Sequence, residues 1–204
     1  MKPLICTLLT GLLCLLSVSD VRADNEGDGY TFDFDSFFGT SYVSSPTFHE
    51  SGGTDLTFTL SYELGQAPLL SISMDSARKA FFLLREQASD YTYLYFTLSN
   101  GEIIQVRNLM GSISATLNDD GETVCVSATF QVDKCQSDSS AAHPDAAYFL
   151  QRFSRYDIRQ ISIMKSPSEG FNFGIETPSA AVITRMCDLL KENIEVRPSD
   201  GFGE

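Results

Sequence analysis

Tyr91, Tyr93 and Tyr95 stand at alternate positions, and Leu94, Phe96 and Leu98 fill the positions between and beyond them. On an extended chain, alternation puts the three phenols on one face and the apolar side chains on the other. A row of tyrosines offers ring faces that stack on a sugar or a peptide, and hydroxyls that hydrogen-bond it. Cross-strand packing is the competing use of the same row. The chain has no Trp, the largest stacking platform.

The acidic start suggests a second chemistry. Asp24, Glu26 and Asp28 occupy alternate positions, Gly29 supplies a sharp turn, and Asp35 falls where a calcium loop closes. The match is incomplete. Glu26 replaces the usual Asp or Asn, and Asp35 is shorter than the bidentate Glu expected at that position.

Other catalytic patterns are missing. His49 and His143 are the only histidines, and no short His-x₃-His spacing prepares a metal site. His49 and Glu50 are adjacent, so on an extended chain they point to opposite sides. No Gly-x-Ser-x-Gly elbow occurs, and neither phosphate-cradling glycine pattern is present, so no cofactor is expected. The residues favour binding of a partner protein or an extracellular ligand over chemistry. One alternative is a glycosidase-like hydrolase, whose two carboxylates, ~5–9.5 Å apart, come from distant positions and leave no local motif. Another is a structural subunit of a surface assembly.

The compartment follows from residues 1–23, which read as a signal peptide. Lys2 gives the positive start, Leu4 to Val18 is an apolar run, and Val21-Arg22-Ala23 is the small-residue cleavage pattern. The run is shorter than the ~20 residues of a membrane-spanning helix. The expectation is export to a periplasmic or extracellular space. Cleavage removes Lys2, Arg22 and Asp20, leaving 12 basic and 26 acidic residues and a net charge of −14. Such acidity argues against nucleic acid and anionic membrane surfaces as partners. Of the three cysteines left, Cys125 and Cys135 are the candidates for a disulfide. They meet only if the chain turns back after Asp133, since an unbroken strand holds them too far apart. Cys187 belongs to the apolar stripe of a helix.

These side chains need elements to place them. Leu56, Phe58, Leu60, Tyr62 and Leu64 alternate with polar residues and predict a half-buried strand, turned at Gly65 to Pro68 into a second, Leu69 to Met74. Asp75 is placed to cap a helix running to about Ala88. Asn100-Gly101 and Asn118 to Gly121 predict hairpin turns, the second joining Ile113–Leu117 to a strand from Thr123. Ala146 to Phe153 has helical periodicity, with Pro144 before it. Thr177 and Pro178 open a last helix with Ile183, Met186, Cys187 and Leu190 on its buried stripe. Residues 55–77 and 157–180 share a strand–turn–strand–helix order, which ordinary packing also produces.

The predicted architecture is an α+β fold: a largely antiparallel, hairpin-built sheet, open or strongly curved, with about three helices. The C-terminal helix is packed on the sheet. Residues 24–54 form an acidic segment with a short strand and a loop, 55–194 a single domain, and 195–204 a loose tail.

Overall fold

The computed structural model describes residues 23–24, 28–107, 112–138 and 145–195. Residues 1–22 of the expected signal peptide, Glu26, His143, Pro144 and most of the predicted tail lie outside the described residues.

Alternating apolar residues build two antiparallel sheets. The larger contains β1 (Ala23–Asp24), β2 (Thr31–Asp35), β3 (Thr40–Ser44), β4 (Phe48–Glu50), β5 (Thr54–Glu63), β6 (Leu69–Ser76), β9 (Ile113–Leu117) and β10 (Val124–Gln131). Their order is β1-β2-β3-β5-β6-β10-β9, with β4 also paired to β5. The smaller holds β7 (Tyr93–Leu98), β8 (Ile103–Val106), β11 (Cys135–Ser137), β12 (Ile158–Ser166) and β13 (Glu169–Gly174), in the order β11-β8-β7-β12-β13. The helices are α1 (Lys79–Glu86), α2 (Ala146–Arg155) and α3 (Ser179–Glu195). This is an α+β fold, and α3 packs on β2, β3 and β5 as well as on α2.

The inward faces of both sheets and the helices share one core. Leu56, Phe58 and Leu60 of β5 and Leu70, Ile72 and Met74 of β6 are buried, as are Leu94, Phe96 and Leu98 of β7. Phe96 links the layers, its ring centroid 5.3 Å from Phe130 on β10 and 5.4 Å from Phe153 on α2. Phe81 of α1 meets Phe173 of β13 at 4.8 Å. Burying such rings supplies most of the drive to fold, roughly 1.5–3 kcal/mol for each side chain fully withdrawn from water.

Several elements depart from the sequence expectation. Asp75 does not cap a helix, because β6 continues through it to Ser76. Strand neighbours on both sides extend it, with Ser76 paired to Thr54 and to Val124, and Asp75 accepts a 2.7 Å bond from Asn118 Nδ2. α1 is correspondingly short. Residues 40–44 and 48–50, within the segment expected to hold one short strand and a loop, are β3 and β4, since β5 offers each a hydrogen-bonding edge. Leu64, read as inward-facing, lies beyond the end of β5 in a turn where Gln66 N donates to Glu63 O at 3.0 Å.

Long-range contacts also take over the start of α3. The Thr177 hydroxyl donates to Glu50 Oε1 at 2.5 Å instead of capping α3. The first turn of α3 is served by Asp157, whose Oδ1 accepts from Ala180 N at 3.0 Å. That carboxylate also complements the positive end of the helix dipole. α2 starts on a local cap, Asp145 Oδ1 accepting from Tyr148 N at 3.0 Å. The two strand–strand–helix units are β5-β6-α1 and β12-β13-α3, and they fall in different sheets.

Candidate binding surface

The tyrosine row is broken in the structure. A short 3₁₀ turn at Ala88–Asp90 delays β7 until Tyr93, and Thr92 N donates to Met164 O as the chain enters the strand. Tyr91, upstream of the strand, is only 5% exposed and packs on Phe171 at 5.6 Å. Its phenol is held above the ordinary value, first by burial. Tyr91 is therefore a core residue and not part of an open face. Tyr93, 38% exposed, and the half-buried Tyr95 do share the outer face of β7. Their rings lie 6.4 Å apart at 19°, a stacked pair.

Directly opposed residues of an antiparallel sheet point to the same side, so register identifies the rest of this face. One row runs Gln136, Gln105, Tyr95, Ser162, Asn172 across all five strands. A second contains Ile103, Thr97, Gln160 and Gly174, and a third Tyr93, Met164 and Gly170. Gln160 Nε2 donates to Ser162 Oγ at 2.9 Å and to Asn172 Oδ1 at 3.2 Å, so the amides are oriented. None of these positions is Asp, Glu, Lys or Arg, in a chain that is 20% charged. Charge stands at the margin of these rows: Asp138 Oδ1 accepts from Ile103 N at 3.2 Å, Arg107 follows β8 at the Tyr93 end, and Lys165, next to Met164, is paired with Asp90 at 3.3 Å and Glu169 at 3.6 Å.

The outer face of the larger sheet has different chemistry. Ser44, Thr59, Ser71 and Thr129 form one row of hydroxyls, and Thr57, Ser73, Ser127 and Ser114 another. Neighbours bond one another, Ser71 to Thr129 at 2.8 Å and Ser114 to Ser127 at 3.1 Å. Charge enters at its ends, where His49 Nδ1 lies 2.6 Å from Asp55 Oδ1 and Asp75 is next in register. The partner of His49 is thus a cross-strand Asp and not its neighbour Glu50.

No protein-family model, curated protein or solved structure matches the chain. Function must be argued from geometry.

The calcium residues are drawn to other tasks. Asp24 belongs to β1, paired with Thr31. Asp28 Oδ2 meets Arg185 Nε of α3 at 3.2 Å. Asp35 Oδ1 accepts from the backbone N–H groups of Phe37 and Phe38 at 2.9 and 3.1 Å. Among the described residues no group of three or more His, Cys, Asp or Glu side chains is placed to hold a metal ion.

Cys125, Cys135 and Cys187 are free thiols. The candidate pair Cys125 and Cys135 is not bridged: a 3₁₀ turn at Val132–Lys134 carries the chain out of β10 and across into the smaller sheet. Burial, reinforced by the charge of Asp133, pushes the Cys135 thiol from 9.0 up to about 12. Burial also raises Cys125 and Cys187. None is an activated nucleophile, since the thiolate is the reactive form. Iodoacetamide at pH 8 is expected to leave Cys135 unlabelled in native protein and to label it fully in denaturant; rapid native labelling would contradict its burial. Because the folded-state value is raised, this thiol's contribution to stability is whole below pH 9 and is lost as pH climbs toward 12. Cys135→Ala should accordingly flatten the alkaline limb of a stability-against-pH curve.

The clefts bear on the hydrolase alternative. One of about 400 Å³ contains Glu50, Glu176, Arg78 and Arg159. Its carboxylates fasten neighbouring chain segments: Glu50 accepts from Thr177 N and Oγ1, and Glu176 from Ser51 Oγ at 3.3 Å. Arg78 Nε donates to Gly52 O at 2.8 Å, and a Cβ at Gly52 would lie 1.3 Å from the guanidinium, so a side chain there would push the arginine aside. A larger cleft of about 580 Å³ is lined by Arg107, Lys134 and the hydroxyls of Ser114, Ser127 and Thr129.

One polar cluster escaped the sequence reading. Glu102, a hairpin residue, is buried beside Arg152 Nε at 3.2 Å. The Ser137 hydroxyl donates to it, as does Tyr148 Oη at 3.4 Å. The Arg152 guanidinium lies over the rings of Tyr148 and Tyr156, 5.2 and 5.6 Å from their centroids. The Tyr-x₃-Arg-x₃-Tyr spacing was the available signal, since residues four apart share a helix face.

Proposed function

We propose that this chain is an exported, non-catalytic binding module that takes a neutral, extended ligand, a glycan chain, on the outer face of the five-stranded sheet. The observation that carries this reading is the uncharged centre of that face, where the stacked Tyr93 and Tyr95 adjoin a row of Gln, Ser and Asn side chains. Aromatic rings match the apolar faces of sugar rings, and oriented amides match their hydroxyls. Neutral ligands also suit a chain whose net charge of −13 would repel polyanions. Export is supported by the leader pattern of residues 1–23. Among the described residues no helix is long and apolar enough to cross a membrane.

The test is titration calorimetry of the processed protein against neutral glucan, mannan, xylan and chitin oligosaccharides. One of these should bind with little dependence on salt, and Tyr93→Ala with Tyr95→Ala should weaken it at least about tenfold while the protein still unfolds cooperatively with only a modestly lower melting temperature. Undiminished binding by the double variant, or no binding by any of the four, defeats the proposal. Intact-mass measurement of the exported protein, expected to begin near Asp24, tests the processing step.

A further inference from the structure

The far end of the larger sheet carries an exposed apolar group that no other described residue covers. Phe37 is 83% exposed, Phe38 66% and Leu64 84%. They occupy two turns, β2–β3 and β5–β6, and the register Asp35–Thr40–Glu63 sets those turns side by side. The first turn is built, not slack. Asp35 Oδ1 accepts both phenylalanine N–H groups, and Gly39 closes the turn at φ +66°, which a residue with a side chain rarely adopts. The two rings meet edge to face at 4.8 Å. Large apolar side chains held outward in a defined conformation are the anatomy of a binding anchor.

Charge selects the occupant. Residues 24–77 contain nine Asp or Glu and no Lys or Arg, so every basic residue of the processed chain comes at or after Arg78. Asp33, Asp35 and Glu63 flank the tips and make no ion pair among the described residues, whereas Asp28 is neutralised by Arg185. An anionic membrane surface would be repelled by this rim, and a second copy docking tip to tip would oppose acid with acid.

We propose that Phe37, Phe38 and Leu64 form a docking wedge for a partner protein whose receptive surface is an apolar pocket rimmed by lysine and arginine. The wedge lies on the larger sheet and does not depend on the tyrosine face of the smaller one.

A random peptide library displayed on phage and selected on the immobilised processed protein tests this. Enriched sequences should combine Phe, Leu or Ile with Lys or Arg. A synthetic peptide of that sequence should bind at least about tenfold more weakly to the Phe37→Ser, Phe38→Ser, Leu64→Ser triple variant, and more weakly to the wild type as salt rises. The Tyr93→Ala, Tyr95→Ala variant should bind it as the wild type does, which separates this proposal from the glycan reading. All three wedge side chains are exposed, so the triple variant should melt as the wild type does. The inference is overturned if no peptide is enriched, if the enriched peptides lack basic residues, or if their binding survives the triple substitution. It is equally overturned if sedimentation velocity shows a dimer that the substitutions dissolve, or if phosphatidylcholine vesicles carry the protein through the wedge.

Discussion

Replacing Glu102 with alanine is expected to lower the unfolding free energy by roughly 3–5 kcal/mol, read from urea or guanidinium denaturation. The carboxylate is buried and receives Arg152, Ser137 and Tyr148. Removing it takes an acceptor from the two hydroxyls and the counter-charge from the guanidinium, and that penalty exceeds the net worth of the intact pair. The Arg152 end is partly solvated, which places the expected loss in the lower half of the range. Glu102→Gln keeps acceptors for the two hydroxyls and should cost less. A loss below about 1 kcal/mol for the alanine variant would show that water replaces the carboxylate freely, so that the cluster does not tie β8, β11 and α2 together.

Phe96→Ala should destabilise the fold by about 3–5 kcal/mol, the range for deleting a buried aromatic and leaving a partly collapsed cavity. Phe96 is fully buried and touches Phe130 of the larger sheet and Phe153 of α2. Its loss therefore weakens the packing between sheets as well as one strand. Residues in one aromatic cluster are not independent, so Phe96→Ala with Phe153→Ala should cost less than the two separate losses together. The difference is expected at about 0.5–1.5 kcal/mol. Strict additivity in the double-mutant cycle would mean the rings share no packing energy, and the description of the core would have to change.

The two proposed surfaces make different demands on the same scaffold. Rings and amides on the smaller sheet are half-buried and held by neighbours across the strands, which suits recognition of a flat, uncharged ligand. The wedge instead projects fully from two hairpin turns and would contribute only when a partner buries it. Substitutions in the wedge should leave stability nearly unchanged and those of the half-buried tyrosines should lower it modestly, while those at Glu102 or Phe96 should lower it by several kcal/mol. That contrast allows binding defects to be told apart from folding defects.

Local periodicity and turn chemistry made much of the fold legible. The alternation of Leu56, Phe58 and Leu60, the turns at Asn100-Gly101 and Asn118–Gly121, and the apolar stripe of the last helix depend on neighbours within a few residues, so the strands, hairpins and helix appear where expected. The charge asymmetry about Arg78 is likewise a property of the chain alone.

Long-range partners decided the rest. Whether Asp75 continues a strand or caps a helix depends on β5 and β10 flanking it, and Tyr91 is buried because Phe171 of β13 arrives against it. Leu64 obeys the strand alternation yet ends in water, because β5 stops at Glu63 before it. The division into two sheets, the pairing of Glu102 with Arg152, and the meeting of the Phe37–Phe38 turn with Leu64 join residues far apart along the chain. Such contacts are selected by the free energy of the whole packed structure, and short-range pattern carries no record of them.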